Sequence, residues 1–319
     1  MNGYSHGRRL PTAATALLAG ALLLPSTAYA QAAPDMQDLV TQGEVLNRSI
    51  TLATESQPGS RAAPEGAIDG EGGLYVLTLN EIFQISATAA LGFTDNPTRT
   101  ANNTGNSMFL DGGLSAGVAT RIDEKVDAGM NLTLGAREFL SDSGASNQTT
   151  SVNAYLGTNL IGPVYGNVVA FGGFSFNSPF KESSSFYGVS GSVSAALPVS
   201  NKVLIRPGAG VARQWSGVSE NNSTSINASV DVIAAVAPKL MASFRGSAGI
   251  RWYDDFYEDV TFIERRDNIY IGSAALAWQP QQNLTVSLNV TYEKQDSTFF
   301  VSDFSAFETA GAIAMRWRF

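Results

Sequence analysis

The sequence predicts an all-β chain: a transmembrane, antiparallel, up-and-down β-barrel of about twelve strands with a short amino-terminal periplasmic segment. Three observations predict it. From residue 80 onward, apolar and polar residues alternate with a period of two through segment after segment. The connections between segments alternate between short turns and longer polar loops. The chain also opens on a cationic, then apolar, then small-residue stretch that reads as a secretory signal. Where one face of a strand meets lipid and the other a wet lumen, the solvent itself imposes the period of two.

Residues 1–30 carry the signal. Arg8 and Arg9 precede an apolar stretch at 16–24, and Ala28-Tyr-Ala30 fits cleavage after small residues near Ala30. That stretch is short for a transmembrane helix, and no other segment approaches about 18 uninterrupted apolar residues. Residues 31–79 lack the alternation of the barrel region. A weak helical spacing (Met36, Leu39, Val40, Leu46) leads into a Gly/Pro/Ser-rich run at 57–73, which reads as a flexible periplasmic tail, with a lumen plug or partner-docking helix as alternatives.

The barrel is expected over 80–319, with strands near 81–94, 107–120, 126–140, 149–161, 164–177, 186–198, 202–215, 225–237, 239–253, 267–279, 283–295 and 306–319. The clearest lipid-facing sets are Leu110, Leu114, Ala116 and Val118, then Met130, Leu132 and Leu134. Later strands present Ile226, Ala228, Val230 and Val232, then Leu284, Val286, Leu288, Val290 and Tyr292. Short turns fall at 123–125, 162–163, 198–201, 238–239 and 280–283, and longer polar loops near 95–106, 141–148, 178–185, 216–224, 254–266 and 296–305. Short periplasmic turns and long outer loops are the asymmetry such barrels show. All four tryptophans sit at predicted strand ends, Trp215 and Trp252 at the outer rim and Trp278 and Trp317 at the inner one, as interfacial rings should. A soluble β-sandwich would also alternate, but it would not account for the signal and the tryptophans together.

Composition narrows the function classes. The formal charge of −8 falls to about −10 once Arg8 and Arg9 leave with the signal, which argues against nucleic acid as a partner. There are no cysteines, so another device must hold a secreted chain together, and closure of a sheet supplies one. The single histidine is His6, inside the predicted signal, which removes Ser–His hydrolysis and histidine metal sites from the mature chain. No catalytic residue, no cofactor and no metal site is predicted. Asp254, Asp255, Glu258 and Asp259 cluster in one outer loop and read as a solvated surface, or else as a weak Ca²⁺ or Mg²⁺ contact bridging lipopolysaccharide.

Parity places Arg137, Arg206, Arg245, Arg251, Arg316 and Arg318 in the lumen, with Asp111, Asp127, Asp231, Glu293 and Glu308. A charge on the lipid face costs about 2–4 kcal/mol at mid-depth, so inward placement is forced where a strand carries one. These groups form either a self-neutralising brace across the wall or a basic track for an anionic solute, with acids on the opposite wall. Small inward residues such as Gly208, Gly210 and Ala212 leave room for a narrow water-filled path.

The run 311–319 alternates strictly and ends on an aromatic, Phe319. It resembles the last strand of bacterial outer-membrane β-barrels, where the terminal aromatic belongs to the signal read by the assembly machinery. Gly92-Phe-Thr-Asp-Asn-Pro97, Arg265-Arg-Asp-Asn268 and Tyr292-Glu-Lys-Gln-Asp-Ser297, with Phe304 and the closing Arg-Phe, resemble the β-barrel porins often found beside exopolysaccharide and surface-attachment genes. The resemblance implies transport or export with no defined substrate, and carries over no functional residue.

The expected function is a porin-like outer-membrane channel, not an enzyme, for passive diffusion or export of small or polymeric solutes, anionic ones among them. One alternative is a non-conducting structural or interaction barrel. A second is an autotransporter-like translocator, for which fewer than about fifty residues before the barrel supply no passenger. The implied partners are outer-membrane lipid and lipopolysaccharide, the barrel-assembly machinery, periplasmic chaperones, and an exopolysaccharide or periplasmic partner.

Overall fold

The computed structural model of the chain describes residues 83–99, 105–122, 126–141, 146–177, 181–200, 202–217, 221–257, 264–281, 283–299 and 302–318. The signal, the 31–79 segment and Phe319 lie outside these residues. Among the described residues the strands are β1 (Phe83–Thr94), β2 (Ser107–Arg121), β3 (Val126–Phe139), β4 (Asn147–Ile161), β5 (Val164–Asn177), β6 (Lys181–Ala195), β7 (Leu197–Ser200), β8 (Val203–Ser216), β9 (Ser223–Ala237), β10 (Leu240–Tyr257), β11 (Glu264–Gln281), β12 (Leu284–Ser297) and β13 (Phe304–Arg318).

Apart from β6 and β7, each strand pairs antiparallel with its neighbour in sequence, and β1 pairs with β13 from Gln84↔Arg318 to Thr94↔Glu308. That last pairing closes the sheet and excludes the sandwich. β6 and β7 are one stave of the wall. Both pair with β8, and Ser194↔Gly208 and Leu197↔Ile205 keep the same register on either side of Ala196, whose N–H turns to the Pro163 carbonyl at 3.0 Å. The barrel is therefore a closed twelve-stranded wall.

Leu110, Leu114, Val118, Met130, Leu132, Leu134, Ile226, Val230, Leu288 and Tyr292 are all exposed on the outer face, as an oily belt requires. The tryptophans follow. Trp278 and Trp317 are exposed at the short-turn end, and Trp215 at the long-loop end stacks on Tyr187 with ring centroids 5.4 Å apart. The tight turns use left-handed backbone, at Gly162 (φ 53°) and Lys239 (φ 63°), as two-residue hairpins demand.

Two loops are shorter than expected. β5 and β6 join across 178–180, and β10 and β11 run on to Tyr257 and Glu264, so much of the predicted 178–185 and 254–266 loops is strand. Above the lipid a strand needs no apolar face, so its outer end loses the pattern that marks it lower down.

Inward glycines are not simply vacant space. On the β1–β6 side several of them lie under an aromatic ring of a neighbouring strand. A Cβ on Gly92 would collide with the Phe109 ring, one on Gly129 with the Tyr155 ring, and one on Gly188 with the Phe171 ring. Rings so seated narrow the lumen on that side and knit neighbouring strands. Phe109 is fully buried. We expect Gly92→Ala to displace that ring at a cost of about 1–3 kcal/mol, read as a lower urea midpoint for the protein folded in lipid vesicles.

Candidate functional site in the barrel lumen

The inward charges sort into two groups on opposite sides of the wall. The first spans β2, β3, β12 and β13 at the long-loop end. Arg137 on β3 forks onto Asp111 of β2, Nε donating to Oδ1 at 2.8 Å and Nη2 to Oδ2 at 2.7 Å. The same guanidinium reaches Glu308 of β13, Nη1 to Oε2 at 2.9 Å and Nη2 to Oε1 at 3.0 Å. Its face lies over the Phe109 ring at 4.1 Å. One cation thus holds two carboxylates and a ring, across the barrel seam.

A second cation enters this group from the connection after β1, and parity could not have found it. Arg99 contacts Glu293 of β12 at 3.3 Å and Glu308 at 3.8 Å. Its backbone is left-handed, φ 50°, a conformation that strains any residue with a Cβ and that the two ion pairs offset. The motif before it explains how the segment is held. Asp95 exchanges backbone and side-chain bonds with Phe307, N–H to carbonyl at 3.2 Å and carboxylate from N–H at 2.7 Å. Asn96 donates to the Ser305 carbonyl at 3.1 Å. The Asp-Asn pair thereby prolongs the β1–β13 seam past the last ladder bond and turns 97–99 inward, with Asn96 itself 5% exposed.

The second group lies on β8, β9 and β10. Arg206, Asp231 and Arg245 stand in register across three strands. Arg206 donates to Asp231 Oδ2 through Nη2 at 2.7 Å and Nε at 3.2 Å, and Arg245 Nε stands 3.6 Å from Oδ1. Arg251, farther up β10, lines the same cavity of about 280 Å³, together with Ser, Asn and Gln side chains of β4 to β9. The remaining predicted residues lie elsewhere. Asp127 of β3 accepts the Tyr165 hydroxyl at 2.8 Å near the short-turn end. Arg316 sits in register with Ser86, low on β13. The Arg318 side chain and Phe319 are outside the described residues.

Sequence reasoning also missed Arg265 and Asp267. Asp267, with no exposure, takes a forked pair from Arg265 at 3.1 and 2.8 Å, the Tyr253 hydroxyl at 3.1 Å and the Ser297 hydroxyl at 2.5 Å. Asp267 opens the predicted 267–279 strand with inward parity, and one further inward step would have reached Arg265. Of the acidic cluster, Asp254 is held by Arg213 of β8 on the outer rim, and Asp255, Glu258 and Asp259 lie outside the described side chains. Among the described residues no group of three or more His, Cys, Asp or Glu could hold a metal ion.

With this geometry in view, comparison with solved structures is informative about fold. An outer membrane channel from Pseudomonas putida F1 superposes with a TM-score of 0.50 at 10% identity, over 78% of this chain and 99% of that one. The chain has the fold of a bacterial outer-membrane β-barrel protein. Looser matches are the KdgM porin in complex with disordered oligogalacturonate (TM-score 0.41, 6% identity, 72% of this chain and 98% of that one) and the β domain of the Bordetella autotransporter Brka (0.44, 11%, 75% and 100%). No protein-family model matches the chain, and no curated protein matches it in sequence.

The barrel's first charge group yields a stability test. In Arg137→Ala the Asp111 and Glu308 carboxylates lose their shared partner, and we expect a loss on the order of 3 kcal/mol. Adding Asp111→Asn and Glu308→Gln should restore part of it, because the uncompensated charges go too. Urea titrations of the three proteins in vesicles check this.

Proposed function

We propose that the barrel is a passive diffusion channel for hydrophilic solutes, with anions favoured along the β8–β10 wall. The observation that carries this reading is the division of the lumen. The seam side carries the self-paired Arg137 network, while a cavity of about 280 Å³ reaching the β8–β10 wall is lined by Ser, Thr, Asn and Gln side chains with Arg206, Arg245 and Arg251 as its cations. Among the described residues of the β8–β10 wall the one luminal acid, Asp231, faces two of those arginines. The opposite wall sets Asp111, Glu293 and Glu308 against Arg99 and Arg137. A solute passing between walls of opposite bias meets a transverse field, which orders dipolar solutes and separates ions by sign. The Pseudomonas putida F1 protein that shares the fold is itself an outer membrane channel, and this supports the reading.

A second reading comes from the Arg137 and Arg99 network at the seam. If the inturned residues 97–99 close the lumen, the barrel is a non-conducting scaffold of the outer membrane. Single-channel recording of the full chain in a planar bilayer decides between the two: steady conductance supports the channel, and silence with and without residues 31–79 supports the scaffold.

Two variants test the charges. Arg206→Glu with Arg245→Glu should shift the reversal potential in a salt gradient toward cations; an unchanged potential would remove these residues from the conducting path. Arg99→Ala releases the inturned segment from Glu293 and Glu308, and should raise single-channel conductance and its noise. Conductance identical to the parent would show that 97–99 do not border the path.

A further inference from the structure

The outside of the barrel is not uniform around its long-loop end. On β2–β5 the outward side chains there include Met108, Leu110, Leu140 and Phe174, all exposed and apolar. Glu138, in register with Leu110, is the one outward charge of those four strands among the described side chains. The ends of β8–β12 carry aromatic rings and cations instead. Arg266 of β11 stands in register with Trp252 of β10, and Lys294 of β12 with Tyr270 of β11. Tyr270 is exposed, and so is Tyr292, the next outward residue below Lys294. Tryptophan and tyrosine rings mark the membrane–water interface, so both cations sit at the depth of lipid headgroups.

β11 and β12 order their outward charges alike. Glu264 lies two positions beyond Arg266 toward the loop, and Asp296 two beyond Lys294, so the cation is nearer the lipid and the acid nearer water. Arg266 is exposed, and among the described residues its guanidinium meets no acid. Its backbone is fixed, because its N–H donates to the Thr298 hydroxyl at 2.8 Å and that hydroxyl donates to the Glu264 carbonyl at 2.9 Å. Lys294 meets Asp296 at 2.9 Å, but both side chains are half exposed, and an ion pair open to solvent is weak enough to yield to a stronger anion. Arg213 of β8, the third outward cation here, is held by Asp254 and stays outside the site. Arg266 lies four positions above Tyr270, which places it about 13 Å along the wall from Lys294, on the neighbouring strand.

We propose that the outward face of β10–β12 binds the headgroup of an outer-leaflet glycolipid that carries two phosphates on a disaccharide, the chemistry of lipopolysaccharide. Depth, charge and spacing select this occupant together. A guanidinium takes a phosphate in planar, two-point geometry, and an ammonium meets the second phosphate as a point charge. A phospholipid with a single phosphodiester engages one of the two cations. Trp252, Tyr270 and Tyr292 offer amphipathic rings where sugar gives way to acyl chain. The site lies on the outer surface of the wall, so it stands whether or not the lumen conducts.

Native mass spectrometry of the purified full chain in detergent micelles counts the lipid bound and tests the proposal. The probes are a diphosphoryl disaccharide lipid, the same lipid with both phosphates removed, phosphatidylglycerol, and inorganic phosphate as a competitor. The diphosphoryl lipid should be retained at least about tenfold more tightly than either other lipid. Arg266→Gln and Lys294→Gln should each weaken it about threefold, and the double variant about tenfold. Asp296→Asn, which releases Lys294, should tighten retention, whereas Glu138→Gln makes the same change of charge on the opposite arc and should leave it unchanged. Heat-modifiable gel mobility checks that each variant is folded. Retention untouched by the double variant overturns the proposal, as does equal retention of the lipid without phosphates. Equal tightening by Glu138→Gln and Asp296→Asn would reduce the effect to net charge and also overturns it. Displacement of the lipid by an equal concentration of inorganic phosphate does the same, because the site would then read a free anion.

Discussion

Everything in this molecule depends on one set of hydrogen bonds, the ladder between β1 and β13. A membrane offers the backbone no water, so a sheet within it must satisfy every N–H and carbonyl internally, and only closure removes the edges. Eleven residue pairs join the first strand to the last, from Gln84↔Arg318 to Thr94↔Glu308. Asp95 and Asn96 carry the seam farther, with side chains standing in for the ladder. Closure brings together residues far apart in the chain. Arg137 reaches Glu308 across 171 positions, a contact that exists only because the wall meets itself.

Closure also forces the charges inward and obliges them to find partners. The solution differs around the wall. At the seam, Arg137 and Arg99 are consumed by three carboxylates, and the rings of Phe109 and Phe139 pack against Arg137. That corner braces the barrel and occupies the lumen. On β8–β10, one aspartate serves two arginines, and the glycines there bear no rings. A self-paired brace on one side and an arginine-bearing wall on the other share a single lumen, a division that parity alone does not reveal.

Much of the fold was legible in the sequence. The period of two located the strand segments, and the turns set their order. The tryptophans marked where the strands cross the interfaces. What escaped had a physical cause. The ends of β6, β10 and β11 stand above the lipid, where no apolar face is needed, so polar runs such as 181–185 read as loop. Arg99 lies in a connection, where no period applies. The rings over Gly92, Gly129 and Gly188 belong to neighbouring strands, so no pattern within a single strand reveals them.

The sequence by itself determined the class of fold, the alternation of faces along each strand and the absence of histidine from the barrel. Those follow from local rules: the chain's alternation answers to the two solvents on either side of it, whatever lies opposite. The tertiary structure alone decided which charges neutralise one another, which glycines stay uncovered and where space remains in the lumen. Each is a property of strand pairing and closure, and a period of two is identical for every register that preserves the faces.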